Sequence, residues 1–201
     1  MLKVLGRGTS GNVQKVIWLL EELKQVYSRE DYGRLFNNTQ TESYLKMNPN
    51  GKVPTLVDGD VVVWESNTIL RYLCNKSAGG TPFYPAEPAA RSEVERWMDW
   101  QLASFYAPYL AVFKDSKKTE EERGAGFAAD VKELSAQLEI LEKGTAGRAW
   151  LAGESLSLAD FALGPLVDRT LGFPVTLPPL PGIRAWRTKI VGRPAYQKSK
   201  A

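Results

Sequence analysis

Asn48-Pro49-Asn50-Gly51-Lys52-Val53-Pro54-Thr55-Leu56 runs into an Asp58-Gly59 turn, the run Val61-Val62-Val63-Trp64, and then Glu65-Ser66 at the head of Asn67-Thr68-Ile69-Leu70-Arg71-Tyr72-Leu73. An X-Pro bond is the one place where a cis peptide is cheap, at about 0.5–1 kcal/mol against about 3 or more elsewhere. Val53-Pro54 is therefore a candidate cis bond. Proline has no N–H to give a neighbouring strand, so Pro54 marks an edge or a strand start. A cis bond there turns the N–H and C=O of Val53 outward, where an extended peptide can pair with them as an added strand. Ser66 is placed to open a helix, whose first N–H groups and dipole favour a carboxylate. Taken singly, these residues make a hairpin, a rigid turn and a capped helix. Their joint order points to a ligand site that reads peptide backbone and holds a carboxylate.

Composition removes several classes of function. At 201 residues the chain has room for one large or two small cores, and 43% hydrophobic against 24% charged residues excludes a disordered chain. The longest apolar runs, such as Val16 to Leu20, are far too short to cross a bilayer, and Met1 to Gly6 lacks the apolar core of a signal peptide. No membrane partner and a cytoplasmic address are the expectations. The single cysteine, Cys74, forms no internal disulfide, which suits a reducing compartment, and beside Leu73 it reads as packed rather than reactive. Histidine is absent, which removes Ser-His-Asp and Cys-His catalysis and any histidine-ligated metal site; no metal is expected. A net charge of +3 is too small to indicate nucleic acid. After Asp168 all charged residues are basic, from Arg169 to Lys200, which reads as the solvated surface of the last helix.

Along the chain, Leu2 to Leu5 is a strand candidate and Gly6-Arg7-Gly8-Thr9-Ser10-Gly11 a glycine-rich turn. A helix follows from about Asn12, with Val13, Val16, Ile17 and Leu20 at helical spacing. Val26 to Arg29 returns as a strand, Ser43 to Met47 suggests a short helix, and Pro54 to Val57 pairs with Val61 to Trp64 as a hairpin. Ser77 to Pro88 is dense in glycine and proline, so the expected organisation is a first domain at 1–77, a linker at 78–87 and a helical second domain at 88–201. Within the latter, a helix is predicted over Arg91 to Leu110 with a kink at Pro108, and another over Glu120 to Lys143 ended by Gly144. In Leu156-Ser157-Leu158-Ala159-Asp160-Phe161, Ser157 caps a helix and Asp160 reaches back in a capping box.

The patterns Asn-Pro-x-Gly-Lys-Val-Pro-x-Leu and Glu-Ser-x-x-Ile-x-x-Tyr-Leu resemble the glutathione transferases, strongly over residues 1–77 and more loosely over 88–201. The resemblance implies an α/β thioredoxin-like N-terminal domain plus an all-α C-terminal domain, and glutathione as co-substrate. It implies that Val53 pairs with the cysteinyl backbone of glutathione across a cis Pro54, while Glu65 and Ser66 hold the γ-glutamyl end. Lys52, or a side chain between Phe36 and Gln40, is placed for the glycine carboxylate. A homodimer is implied, in which Asp99 reaches the γ-glutamyl amine bound to the partner subunit. Tyr106, Tyr109 and Phe113 are candidates to line the pocket for a small electrophile, although aromatic residues at helical spacing also make core.

Only the thiolate of glutathione is a good nucleophile, so its pKa must be lowered. A hydrogen bond to a charged group contributes about 1.5–3 kcal/mol, and a helix start adds roughly 0.3–2 kcal/mol. At about 1.36 kcal/mol per pKa unit, one donor plus the dipole supplies a shift of about two units. The turn before the first helix offers Thr9, Ser10 and Asn12. Ser10 resembles the serine of theta- and zeta-like transferases, and Ser10-Gly11-Asn12 also resembles the Thr-x-Asn element of the nu-like bacterial class. Both assignments stand beside a local one, in which either residue merely caps the helix. The turn holds no cysteine and no tyrosine, which disfavours the beta- and omega-like and the alpha, mu and pi classes, and Thr9-Ser10-Gly11 departs from the Ser-Ser-Cys of zeta-like isomerases.

The expected activity is attack by the glutathione thiolate, stabilised by Ser10 and Asn12, on a small electrophile. The alternatives are a glutathione-dependent peroxidase or disulfide reductase of nu-like type, and a non-catalytic assembly module. Such modules often lose parts of the site, whereas Ser10, Val53, Pro54, Glu65 and Ser66 are all present.

Overall fold

Leu2–Leu5 forms strand β1, and the apolar period that follows becomes helix α1, Gly11–Glu22, with Val13, Val16, Trp18, Leu19 and Leu20 wholly buried. The chain returns as β2, Tyr27–Glu30, parallel to β1. A 3-10 turn at Arg34–Phe36 and the short helix α2, Glu42–Met47, lead to the hairpin β3, Thr55–Asp58, and β4, Val61–Trp64. Helix α3, Ser66–Lys76, follows at once. Strand order is β2-β1-β3-β4, with β3 antiparallel to both neighbours. The succession β-α-β, then α-β-β-α, is that of the thioredoxin-like domain that the resemblance implies. The structure is a computed structural model that describes residues 1–77 and 81–200, so 78–80 of the predicted linker lie outside the described residues.

Strand register decides where the candidate residues go. Leu5 pairs with Thr55, and Thr55 with Trp64, so the three form one row across the sheet. The turn after β1, the loop before β3 and the residues after β4 therefore all leave the sheet at the same end.

The chain divides into two compact units, Met1–Pro85 with Val191–Ala201, and Ala86–Ile190. The last eleven positions, read from the sequence as the end of the helical domain, thus group with the first unit. The last helix, α9, covers Pro194–Lys198 and packs on α1. Arg193 donates to both oxygens of Glu22 at 2.5 and 2.8 Å, Lys198 donates to Glu21 at 2.9 Å, and the Trp18 and Tyr196 rings meet edge to face at 5.1 Å. Part of the basic tail is therefore paired with α1 rather than left to solvent.

The second unit is helical: α4, Pro88–Trp100; α5, Tyr106–Asp115; α6, Phe127–Thr145; α7, Leu158–Thr170; and α8, Pro181–Val191. The single helix predicted over Arg91 to Leu110 is split by a π-helical turn at Gln101–Phe105, where the Tyr106 N–H donates to the Gln101 carbonyl. Pro108 explains the widening, since its ring clashes with the carbonyl four residues back and it has no N–H to give. Helix α6 starts at Phe127 rather than Glu120, because Gly124, Gly126 and a Glu122 carboxylate turned back onto the Thr119 N–H at 3.0 Å hold the preceding segment in turns. Gly144 is no stop. It lies inside α6, where a Cβ would come within 2.4 Å of the Trp97 ring. No helix among the described residues is long and apolar enough to cross a membrane.

Helix α7 is the buried axis of this unit. Its predicted capping box is present, and the Asp160 carboxylate does more than cap. Wholly buried, it accepts from the Ser157 N–H at 2.8 Å, the Ser157 hydroxyl at 3.1 Å, the Leu151 N–H at 3.0 Å and the Trp186 indole of α8 at 2.8 Å. Burial pushes its pKa up and those donors oppose the rise. Asp160→Ala strands several buried donors at once, each worth about 1–3 kcal/mol, so we expect a loss on the order of 3 kcal/mol or more. The check is a lowered urea midpoint at unchanged m value, and an unmoved midpoint contradicts it.

Candidate functional site

The Val53–Pro54 peptide bond is cis, as its sequence predicts. Its neighbours on both sides are held by two residues of the α2 segment. The Tyr44 hydroxyl donates to the Lys52 carbonyl at 2.6 Å and bonds the Thr55 hydroxyl at 2.9 Å. The Asn48 amide donates to the same two groups at 2.8 and 3.0 Å. Tyr44, Asn48 and Thr55 are all buried, so the two bonds to the Thr55 hydroxyl are made away from water. Gly51 completes the loop with φ 58°, where a Cβ would come within 2.3 Å of the Gln40 amide nitrogen. Lys52 itself is exposed, Val53 half-buried and Pro54 buried.

The turn that carries Ser10 lies against this loop. A Cβ on Gly6 would meet the Val13 side chain at 2.5 Å and the Val53 Cβ at 3.3 Å, and one on Gly33 would stand 3.4 Å from Val53 Cγ1. Glycine at both positions lets the loops after β1 and β2 close on Val53. Ser10 sits at the N-cap position of α1 in extended conformation, 8% exposed, with its carbonyl accepting from the Gln14 N–H at 2.9 Å. Its hydroxyl makes no capping bond. Asn12 follows in the first turn of α1 and is half-buried.

At the end of the same row Glu65 occupies the N-cap position of α3 with φ 68° and ψ 117°, and its side chain does not cap the helix. A non-glycine residue at such a φ stores on the order of 1–3 kcal/mol, kept only where the surroundings impose it. Ser66, the first residue of α3, is buried, and Glu65 is exposed. The structure therefore brings Ser10, Asn12, Lys52, Val53, Pro54, Glu65 and Ser66 to one end of the sheet of the first unit. Chemically, this end offers a buried hydroxyl, a half-buried edge residue and a helix start.

The remaining candidates lie in the second unit. Asp99 is exposed on α4. Tyr109 is 3% exposed and stacks with Phe105, Phe113 and Phe173 at centroid distances of 5.8, 6.0 and 5.9 Å, so its ring is core. Tyr106 and Phe113 are partly exposed, and Lys117 and Arg169 stand over the Phe113 ring at 4.3 and 5.5 Å. Cys74 is buried with its thiol pushed up to about 11 by burial, as its packed reading expects.

Comparison with known proteins agrees with this geometry. The glutathione S-transferase N-terminal domain family matches residues 1–75, and the C-terminal domain family matches 102–194. Glutathione S-transferase GstB of Escherichia coli is 34% identical over 202 residues, spanning 98% of this chain and 97% of its own. A theta class glutathione S-transferase from Xanthomonas axonopodis pv. citri, solved with glutathione bound, is 35% identical with a TM-score of 0.93, covering 98% of this chain and 96% of that one. A glutathione transferase family member of Pseudomonas fluorescens with two glutathione bound is 25% identical with a TM-score of 0.88, covering 99% and 92%. The chain belongs to the glutathione S-transferase family.

One charge near this end has no counterpart in the sequence reading. Lys15 of α1 is wholly buried, and burial pushes its pKa down from 10.5 to about 7 against the opposing pull of the Glu65 carboxylate. Between these two values the unfolded chain binds a proton that the folded one lacks, so stability rises with pH from about 7 towards 10.5. Lys15→Met should remove that rise. Urea midpoints of both proteins across this range check it; parallel pH profiles contradict it.

Proposed function

We propose that the chain binds glutathione along Val53 and the start of α3, stabilises its thiolate at the start of α1, and transfers it to a small electrophile. The observation that carries the reading is the Ser10 hydroxyl, which is buried at the helix start, not engaged in capping, and at the same end of the sheet as Val53 and Ser66. In this reading the Val53 backbone pairs with the cysteinyl backbone of the tripeptide. Ser66 and the first N–H groups of α3 receive the γ-glutamyl carboxylate, the exposed Glu65 carboxylate faces its amine, and Lys52 faces the glycine carboxylate. That binding leaves the sulfur at Ser10, with Asn12 two residues further along the same helix start. The thiolate forms a bond to the electrophilic atom, and the displaced group leaves with the electron pair. Relatives solved with glutathione support the choice of co-substrate. Tyr106 and Phe113 are the partly exposed aromatic contacts for the acceptor, with Tyr109 as their support. A cytoplasmic place of action suits a co-substrate kept as a thiol, and none of these steps calls on a metal.

A homodimer extends the reading, with Asp99 reaching the amine of the γ-glutamyl group bound to the other copy. Sedimentation at micromolar concentration should give twice the chain mass, and a monomer would remove Asp99 from the site. Ser66→Ala should weaken glutathione binding by more than it lowers stability, because it removes a charge-assisted bond at a helix start. Equal calorimetric affinity for variant and parent counts against it.

Ser10→Ala should raise the pKa of the bound thiol by about one to two units, the equivalent of a lost bond of about 1.5–3 kcal/mol, with little change in glutathione affinity. Asn12→Ala should give a partial shift, and the double variant should fall short of additivity because both groups act on one sulfur. A mere cap would lose about 1 kcal/mol of stability and leave the titration unmoved. Thiolate absorbance against pH decides between them, and unmoved curves in both single variants remove both residues from the mechanism.

A further inference from the structure

Two cations stand at one end of an aromatic run in the second unit. The rings of Tyr106, Tyr109, Phe113 and Phe173 follow one another at centroid distances of 6.0, 6.0 and 6.1 Å. Tyr109 is core, whereas the other three keep exposed surface. At Phe113 the run meets the Lys117 ammonium, just past the end of α5 and 4.3 Å from the ring centroid. From the last turn of α7 the Arg169 guanidinium comes within 5.5 Å of the same centroid. The carboxylates nearest to them in the chain are held by other bases, Asp115 by Lys118 at 2.6 Å and Asp168 by Arg187 at 2.6 Å. Lys117 makes no hydrogen bond or ion pair among the described residues. A ring face attracts a cation but offers its N–H groups no acceptor atom, so the exposed ammonium keeps its donors for another group.

We propose that this face selects its electrophile by charge as well as by ring: the acceptor is an aromatic carboxylate, its ring against Tyr106 and Phe113 and its carboxylate against Lys117 and Arg169. The inference rests on the reading of Tyr106 and Phe113 as acceptor contacts, and adds the chemical class of the acceptor. A carboxylate suits the pair, since the guanidinium fork matches its two oxygens and the ammonium adds a point charge. In the reaction the thiolate forms a C–S bond at a ring carbon, and a halide leaves that carbon with the electron pair of the broken bond. The carboxylate, on another ring carbon, keeps its charge throughout. An uncharged aromatic acceptor would stack equally well and gain nothing from the two cations.

The test uses two glutathione conjugates that differ in one group, S-(4-carboxy-2-nitrophenyl)glutathione and its carboxamide, with glutathione itself as reference, each titrated calorimetrically into the whole chain. If the parent binds none of the three, the functional reading fails and the proposal falls with it. If the parent binds glutathione but takes the carboxylate conjugate no better than the amide, the functional reading stands and the proposal is overturned. The expected result is a preference of about tenfold for the carboxylate, the equivalent of roughly 1.4 kcal/mol. Lys117→Gln and Arg169→Gln should each lose about threefold of that preference, the pair should abolish it, and Arg169→Lys should keep most of it. Comparing two ligands on one protein cancels what a substitution does to folding or to the glutathione half. A double variant that keeps the parent's preference overturns the proposal. A second readout needs no variant: raising the salt from about 0.05 to about 0.5 M should cut the parent's preference by roughly threefold, because exposed charges are screened. A preference unmoved by salt overturns the proposal even if no variant folds.

Discussion

Everything at the site end of the first unit depends on the clamp that Tyr44 and Asn48 place on the Lys52 carbonyl and the Thr55 hydroxyl. Four hydrogen bonds converge on the residues before and after Val53-Pro54, all from side chains with almost no exposed surface. In such surroundings a lost partner leaves a buried group unsatisfied, which costs more than the bond contributes when made. The clamp therefore fixes the loop before β3 as firmly as the ladder fixes the strand itself. Because Thr55 is also the residue in row with Leu5 and Trp64, one anchored position sets the height of three chain segments at once.

Around that anchor the protein accepts local cost. Glu65 is held in a backbone region suited to glycine, and Lys15 buries a charge whose pKa falls to about 7. Glu65 lies at the end of the sheet where the ligand is proposed to bind, and backbone strain there is the ordinary pattern of a site that trades stability for order. The remainder of the chain is conventional by comparison. Asp160 satisfies four donors in the helical unit, and Arg193 and Lys198 tie the last helix to α1.

Much of this was legible in the residues because the signals were local. The strand-turn-strand run from Thr55 to Trp64, the serine after it and the valine before a proline each carry their meaning within a few positions. Asp160 was legible as a cap for the same reason, but its bonds to Leu151 and Trp186 were not, since they join distant segments. Tyr44 and Asn48 share a helical face by their spacing, yet nothing local says that this face meets Lys52 and Thr55. Lys15 was hidden because a lone cation in an apolar stripe looks like a snorkelling side chain. Gly144 misled for the converse reason: its glycine serves the Trp97 ring rather than the backbone. The split at Gln101–Phe105 came from Pro108, whose effect the sequence locates only to within a turn.

The central claim is that the clamp on either side of Val53 holds the backbone against which glutathione binds. Asn48→Ala removes two of its four bonds and touches no proposed ligand contact. Calorimetric titration with glutathione, on protein shown by circular dichroism to remain folded, measures the claim directly. The account predicts a loss of about tenfold, the equivalent of roughly 1.4 kcal/mol. Parent affinity in the folded variant would contradict it.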